Sequence, residues 1–328
     1  MEPMLVRDAS DVASARRRVV ALAHRIGYDE TSAGRVAIVV TELAQNLWRH
    51  GGGGQILAAS DPVAPSGIEI LALDRGPGMA DVATCLRDGY STGGTSGNGL
   101  GAVNRMADQM LIHSVRGGGT AILVRMGAER GAAMATPRTT AVLCVAKAGE
   151  EVCGDTAAVV VRSDGVIGVL LADGLGHGPQ AAAASQEAAR LFRKHPGGSP
   201  VTALSILHAG LRATRGAALA TAFIDPAGRR VTYGGIGNIA AFITDSAGTR
   251  RMVSHSGTAG HTAGRMQEFS YPMYSTPVLV MFSDGLATSW SPESHPGLFA
   301  LDPVLIAGVL YRDHARGRDD ASVVVWKG

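Results

Sequence analysis

In the segment TELAQNLWRH, Glu42, Asn46 and His50 fall at i, i+4 and i+8. A helix through them presents a base and an amide metal ligand from one face to one cleft. Alone, such a stripe reads as a solvated helix surface, so its weight comes from the segments downstream of it in the chain. After an apolar run, LALDRGPGMA supplies Asp74 with Gly76 and Gly78. There a carboxylate can accept the exocyclic amine of adenine while the glycines let the backbone turn close to the ring. Further on, STGGTSGNGLGAVNRM is a glycine loop that opens onto a helix, where backbone N–H groups and the helix dipole can hold phosphates. Each glycine motif alone says little; their order and spacing together describe a nucleotide cradle.

A second set lies beyond residue 141. Asp155 in CGDTAAVVV, Asp173 and Gly174 in LADGLGHG, Asp284 in FSDG, and Asp319 with Asp320 in RDDASVVVW each stand beside an apolar run. They are expected where strands meet loops. Mg²⁺ and Mn²⁺ prefer carboxylate and carbonyl oxygen, and two such ions about 3.5–4 Å apart can activate a water and steady a departing phosphate. A lone Asp-Gly is more often a hairpin turn than a ligand; three such acidic motifs followed by Asp-Asp are not explained that way.

Elements must position these residues. Helices are expected over 8–27 and about 29–50, strands over 55–60 and 67–74, a glycine-rich loop to Gly99, a helix from Leu100, and strands near 110–115 and 119–126. Residues 127–140 combine small residues and a proline without periodicity and are expected to link residues 1–126 to 141–328. The second part reads as strands at 141–147, 156–163 and 166–172, helices near 178–194 and 200–214, strands near 218–225, 230–234, 239–244 and 277–283, a helix from about Asp302, and a final strand over 321–326. Both parts suggest an α+β class.

At roughly 150 residues per domain, 328 residues imply two domains. With 46% hydrophobic residues, 18% charged and a net charge of +2, the chain is neither disordered nor a basic nucleic-acid binder. Cys85, Cys144 and Cys153 form no CxxC pair, which excludes a zinc ribbon or disulfide framework and suits a reducing compartment. The first residues lack a signal-peptide core and no apolar run reaches a membrane span, so a cytoplasmic protein is expected.

Residues 1–126 resemble the GHKL ATPases, in particular the compact anti-sigma-factor and stress-regulator serine kinases. The resemblance implies an α/β sandwich that binds ATP with Mg²⁺. In it Glu42 is the general base toward a serine hydroxyl, Asn46 holds the magnesium on the phosphates, and Asp74 reads adenine over Gly76 and Gly78. Gly97, Gly99, Leu100 and Gly101 form a lid. Residues 1–40 are too short for the dimerisation hairpin of a sensor histidine kinase, so a direct protein-serine kinase or an ATP-dependent binding module is favoured over a two-component sensor.

Residues 141–328 resemble PPM-type Ser/Thr phosphatases of the bacterial sporulation and stressosome branch, through LADGLGHGPQA, YGGIGNIAAF, MFSDGLATSW and RDDASVVVW. This implies an αββα sandwich with two Mn²⁺ or Mg²⁺ ions bridged by Asp173. The Gly174 carbonyl lies on one ion, and Asp155, Asp284 and Asp319, taken ahead of Asp320, complete the shell. His177 is read as structural rather than as a proton donor. The arginine with which eukaryotic relatives dock phosphate has no counterpart, which leaves phosphate docking unassigned.

Together the resemblances imply a bifunctional regulator that phosphorylates a STAS-type partner and dephosphorylates the same or a paired partner, with a sigma factor or other regulator downstream and a homodimer plausible. The alternative makes the first domain an ATP-gated binding module beside a working phosphatase. A general nucleotide hydrolase is a third reading.

Overall fold

The computed structural model describes residues 3–61, 67–86, 99–129, 131 and 138–328. The chain forms two compact units, Met1–Pro137 and Arg138–Gly328.

In the first unit, Asp8 caps α1 (Ala9–Arg25) by accepting from Ser10 N and Asp11 N, and Asp29 caps α2 (Glu30–Arg49) by accepting from Ser32 N. Apolar residues recur at helical spacing along each: Val12, Ala15, Val19 and Ala23 on α1, Val36, Val39, Val40, Leu43 and Leu47 on α2. These stripes pack on one sheet face, built from Ile56, Ile68, Ile70, Ala72, Ile122, Val124 and Met126. The sheet joins β1 (Met4–Val6), β2 (Gly54–Ser60), β3 (Gly67–Asp74), β4 (Gln109–Ser114) and β5 (Thr120–Gly127) in the order β1-β2-β3-β5-β4. Two short helices, α3 (Val82–Cys85) and α4 (Gly99–Met106), lie between β3 and β4.

The second unit is an αββα sandwich. One sheet orders β15 (Phe269–Pro272), β10 (Arg230–Ile236), β9 (Ala217–Asp225), β8 (Ile167–Gly174) and β7 (Asp155–Val161); the other orders β12 (Gly248–Met252), β11 (Ala240–Asp245), β16 (Val278–Phe282), β17 (Ala321–Lys327) and β6 (Thr140–Val145). Alternate residues of the two sheets meet in the core: Val169, Leu171, Ala220, Ile224 and Tyr233 on one side, Ile243, Leu279, Met281, Val324 and Trp326 on the other. Outside the first sheet, Ala188, Ala189 and Phe192 of α5 (Pro179–Lys194) and Ala203, Leu204 and Leu207 of α6 (Pro200–Gly210) cover Leu170, Ala172, Leu219 and Phe223. Helix α7 (Pro303–His314) packs on β17 and β6. A small hairpin of β13 (Gly257–Thr258) and β14 (Thr262–Ala263) completes the unit.

Asp155 opens β7, and the antiparallel register pairs it directly with Asp173 at the far end of β8. Among the described residues no helix is long and apolar enough to cross a membrane.

Candidate functional sites

The first site is a cavity of about 850 Å³ lined by Glu42, Asn46 and His50 of α2, Asp74 at the end of β3, Gly78, and Gly99 and Leu100 of α4. The predicted helical face therefore opens into one cleft with the predicted carboxylate. Asp74 is fixed by the turn it begins: one carboxylate oxygen accepts from Gly76 N at 2.9 Å and from Thr120 N at 3.0 Å. Gly78 sits at φ +67°, and a Cβ there would lie 2.1 Å from the Val115 carbonyl oxygen, so the loop closes only on glycine. Gly76 also packs tightly, against the backbone of Gly51.

At the opposite wall a Cβ on Gly99 would stand 3.0 Å from Glu42 Oε2. The bare glycine keeps the approach to that carboxylate open. Among the described residues the buried Asn46 amide nitrogen has no hydrogen-bond partner, and a phosphate-bound ligand would satisfy it. Gly101 is buried within α4, and Gly97 lies outside the described residues. These donors, the cavity and the helix start fit ATP with Mg²⁺, and Asn46 is the side chain that would hold the ion. Sequence reasoning missed Thr120 and Ser114. Thr120 opens β5 opposite Asp74, and Ser114 accepts from Met79 N at 2.8 Å and lies 2.9 Å from the Thr120 hydroxyl, tying the adenine loop to two strands.

The second site lies at one end of the αββα sandwich. The β7–β8 register sets Asp155 beside Asp173, and Gly174 comes next with no space for a side chain: its Cβ would lie 2.0 Å from the Ala181 carbonyl. Burial, then the charges of Asp155, Asp284 and Asp319, push the Asp173 carboxyl up to about 9. Burial likewise pushes Asp155 up to about 6, against a hydrogen bond in which Ser322 Oγ donates to it at 2.7 Å. Asp284 is raised by burial and then by Asp319, and it accepts from Asn238 Nδ2 at 2.7 Å.

Asp319 and Asp320 differ in burial and partners. Asp319 accepts from Asp320 N at 2.9 Å and stays at the edge of the cluster. Asp320 is buried and turns to accept from Lys147 N at 2.9 Å, while its second oxygen has no partner. His177 Nδ1 lies 2.6 Å from Glu150 Oε1, an exposed pair at the rim.

Among the described residues, no three His, Cys, Asp or Glu side chains are gathered tightly enough to hold an ion as they stand. The donor chemistry nevertheless fits Mg²⁺ or Mn²⁺: hard oxygen donors and buried like charges together lack positive charge. Asp155, Asp173, the Gly174 carbonyl, Asp284 and Asp319 are the groups that would hold such ions. Sequence reasoning missed the supports Ser322 and Asn238, although Asn238 lies inside the GGIGN motif.

Residues 5–126 match the family described as histidine kinase-like ATPase domain. Residues 163–326 match the family described as stage II sporulation protein E (SpoIIE). Over 115 residues the chain is 36% identical to the serine/threonine-protein kinase RsbT of Bacillus subtilis (strain 168), covering 34% of this chain and 85% of that protein. A solved structure described as "The bacterial stressosome: a modular system that has been adapted to control secondary messenger signaling" is similar at TM-score 0.54 and 26% identity, over 57% of this chain and 97% of its own. RsbX in complex with magnesium is similar at TM-score 0.49 and 18% identity, over 57% of this chain and 94% of its own.

Proposed function

The chain belongs to the SpoIIE family, with a histidine kinase-like ATPase domain ahead of that match, and we propose that it is a two-way regulator of a partner-switching pathway. The first unit transfers the γ-phosphoryl group of ATP to a serine or threonine of a STAS-domain protein. The second hydrolyses that phosphoester on the same or a paired partner, and the phosphorylation state governs a sigma factor or other downstream regulator.

The observation that carries the reading is the meeting of Glu42, Asn46 and Asp74 in one cavity, within the segment that is similar to a serine/threonine kinase. Asp74, oriented by Gly76 N and Thr120 N, holds the adenine amine. Asn46 and the first turn of α4 hold the phosphate end. Glu42 accepts the proton of the attacking partner hydroxyl, and the bare Gly99, where a Cβ would stand 3.0 Å from Glu42 Oε2, leaves the carboxylate room.

In the second unit, bound divalent ions supply an acidified water and charge stabilisation of the phosphoryl group. The chain's own residues set the donor positions: Ser322 orients Asp155, Asn238 orients Asp284, and Gly174 lets its carbonyl stand at the end of β8.

The test is the intact mass of a purified STAS partner incubated with ATP, Mg²⁺ and the Asp173→Asn chain, followed by wild-type chain with Mn²⁺. Gain of one phosphate and its subsequent loss is expected, and Glu42→Ala should abolish the gain alone. A partner that binds in an ATP-dependent manner but never gains mass would make the first unit an ATP-gated binding module instead.

A further inference from the structure

A phosphoprotein brings a doubly negative group to a centre whose metal ions are largely offset by four carboxylates, and a further cation that is not spent on a carboxylate would draw that group in and orient it. We propose that Arg316 is the residue that docks the substrate's phosphate group there. The proposal rests on the phosphatase reading above and adds the residue that reading lacks.

Its placement is set by the loop that carries it. Arg316 N donates to the Gly285 carbonyl at 2.8 Å, Ala287 N donates to the His314 carbonyl at 2.9 Å, and Leu286 and Ala315 form a bridge between these pairs. The segments leaving β16 and α7 are thereby zipped together. Arg316 is locked next to the residue after Asp284, and three residues ahead of Asp319. That segment packs closely on the chain beside Asp319, since a Cβ at Gly285 would lie 1.9 Å from the Asp320 carbonyl oxygen. Gly317, at φ +71°, then turns the chain toward Asp319.

The side chain is exposed, and among the described residues no ion pair consumes it. Several arginines of the unit do pair with carboxylates: Arg162 with Asp164, Arg190 with Glu187, Arg250 with Asp245 and Arg312 with Asp313. Asp284 already takes its hydrogen bond from Asn238, so Arg316 is not needed as its partner. Its backbone is nevertheless tied to Gly285, the residue after Asp284. A guanidinium held beside the acidic centre without being neutralised by it offers a planar fork of donors to phosphate oxygens. Arg215, whose Nη1 would lie 3.4 Å from a Cβ on Gly176, flanks the glycine turn after Gly174 and serves as the comparison.

The experiment uses the full chain with Mn²⁺, a phosphoserine peptide as substrate and inorganic phosphate as competing product. Arg316→Ala should raise both KM and the inhibition constant for phosphate by about tenfold or more with kcat changed less, and Arg316→Lys should recover part of the loss. The Mn²⁺ concentration for half-saturation, read by direct titration, should stay the same or fall, since a positive charge near Asp284 is removed. Unchanged KM and phosphate inhibition, a raised Mn²⁺ requirement, or the same effect from Arg215→Ala would each overturn the assignment. A wild-type chain that releases no phosphate with Mn²⁺ would remove the phosphatase reading itself, and the docking role with it.

Discussion

Burial and neighbouring carboxylates keep a proton on Asp173 up to about 9, whereas the ordinary carboxyl value is 3.8. An incoming divalent ion must displace that proton, so ion affinity has to rise with pH. The same shift acts on stability. The folded chain binds this proton more tightly than the unfolded chain does, so the contribution is fully present below 3.8 and is lost as pH rises through about 9. We expect the ion-free chain to lose thermal stability between about pH 6 and 9, and the gap to the Mn²⁺-loaded chain to widen, with Asp173→Asn flattening both trends. Thermal melts with and without chelator, and Mn²⁺ titrations across that range, check it; a pH-independent Mn²⁺ affinity would refute it. The residues that carry the charge were legible in the sequence because acidic and glycine motifs beside apolar runs have local signatures. Their orienting partners were not. Ser322 reaches Asp155 across 167 positions, while Asn238 reaches Asp284 and Thr120 reaches Asp74 across 46 each, separations that no local period encodes.

At the scale of elements, each site hangs on a glycine that lets two backbones touch. Gly78→Ala would force a side chain at φ +67° to within 2.1 Å of the Val115 carbonyl, and Gly174→Ala one to within 2.0 Å of the Ala181 carbonyl. Each should cost about 1–3 kcal/mol locally. The first is expected to weaken nucleotide binding about tenfold or more while phosphatase turnover persists, and the second to do the reverse, as fluorescent-nucleotide titration and phosphate release would show. If either substitution impairs both activities equally, the glycines act on global folding and not on their own sites. The long elements were readable because their periods are strong: the α1 and α2 stripes and the apolar runs of β3, β8, β9 and β17. Strands β1, β12, β13, β14 and β15 were missed. They have between two and five residues, and GTRRM of β12 carries the polarity of a sheet edge, so pairing with a neighbour and not apolar alternation makes them strands. Helix α3 is a single turn in which Asp81 caps Ala83 N and Thr84 N, too short for a period to show.

For the whole molecule, the proposed pair of opposed activities on one chain would impose a stoichiometric consequence. Phosphorylation converts ATP and partner into ADP and phosphopartner, and dephosphorylation returns partner and inorganic phosphate. With both sites working on one phosphosite, the sum is ATP hydrolysis that needs catalytic amounts of partner and never reaches completion at one phosphate per partner. Wild-type chain with ATP, Mg²⁺, Mn²⁺ and partner should therefore release ADP continuously. Asp173→Asn should stop after a burst of about one ADP per partner, and Glu42→Ala should release none above background. Following ADP by a coupled assay over several equivalents of ATP separates these cases. A wild-type burst that halts at one equivalent would mean that the two units address different phosphosites. Identical sustained release from wild type and Asp173→Asn would mean that ATP is hydrolysed in the first unit without passing through the partner at all. Because Glu42 and Asp173 belong to units that each close over their own hydrophobic core, either substitution can silence one half of the cycle and leave the other running, and that independence makes the continuous release interpretable as a cycle.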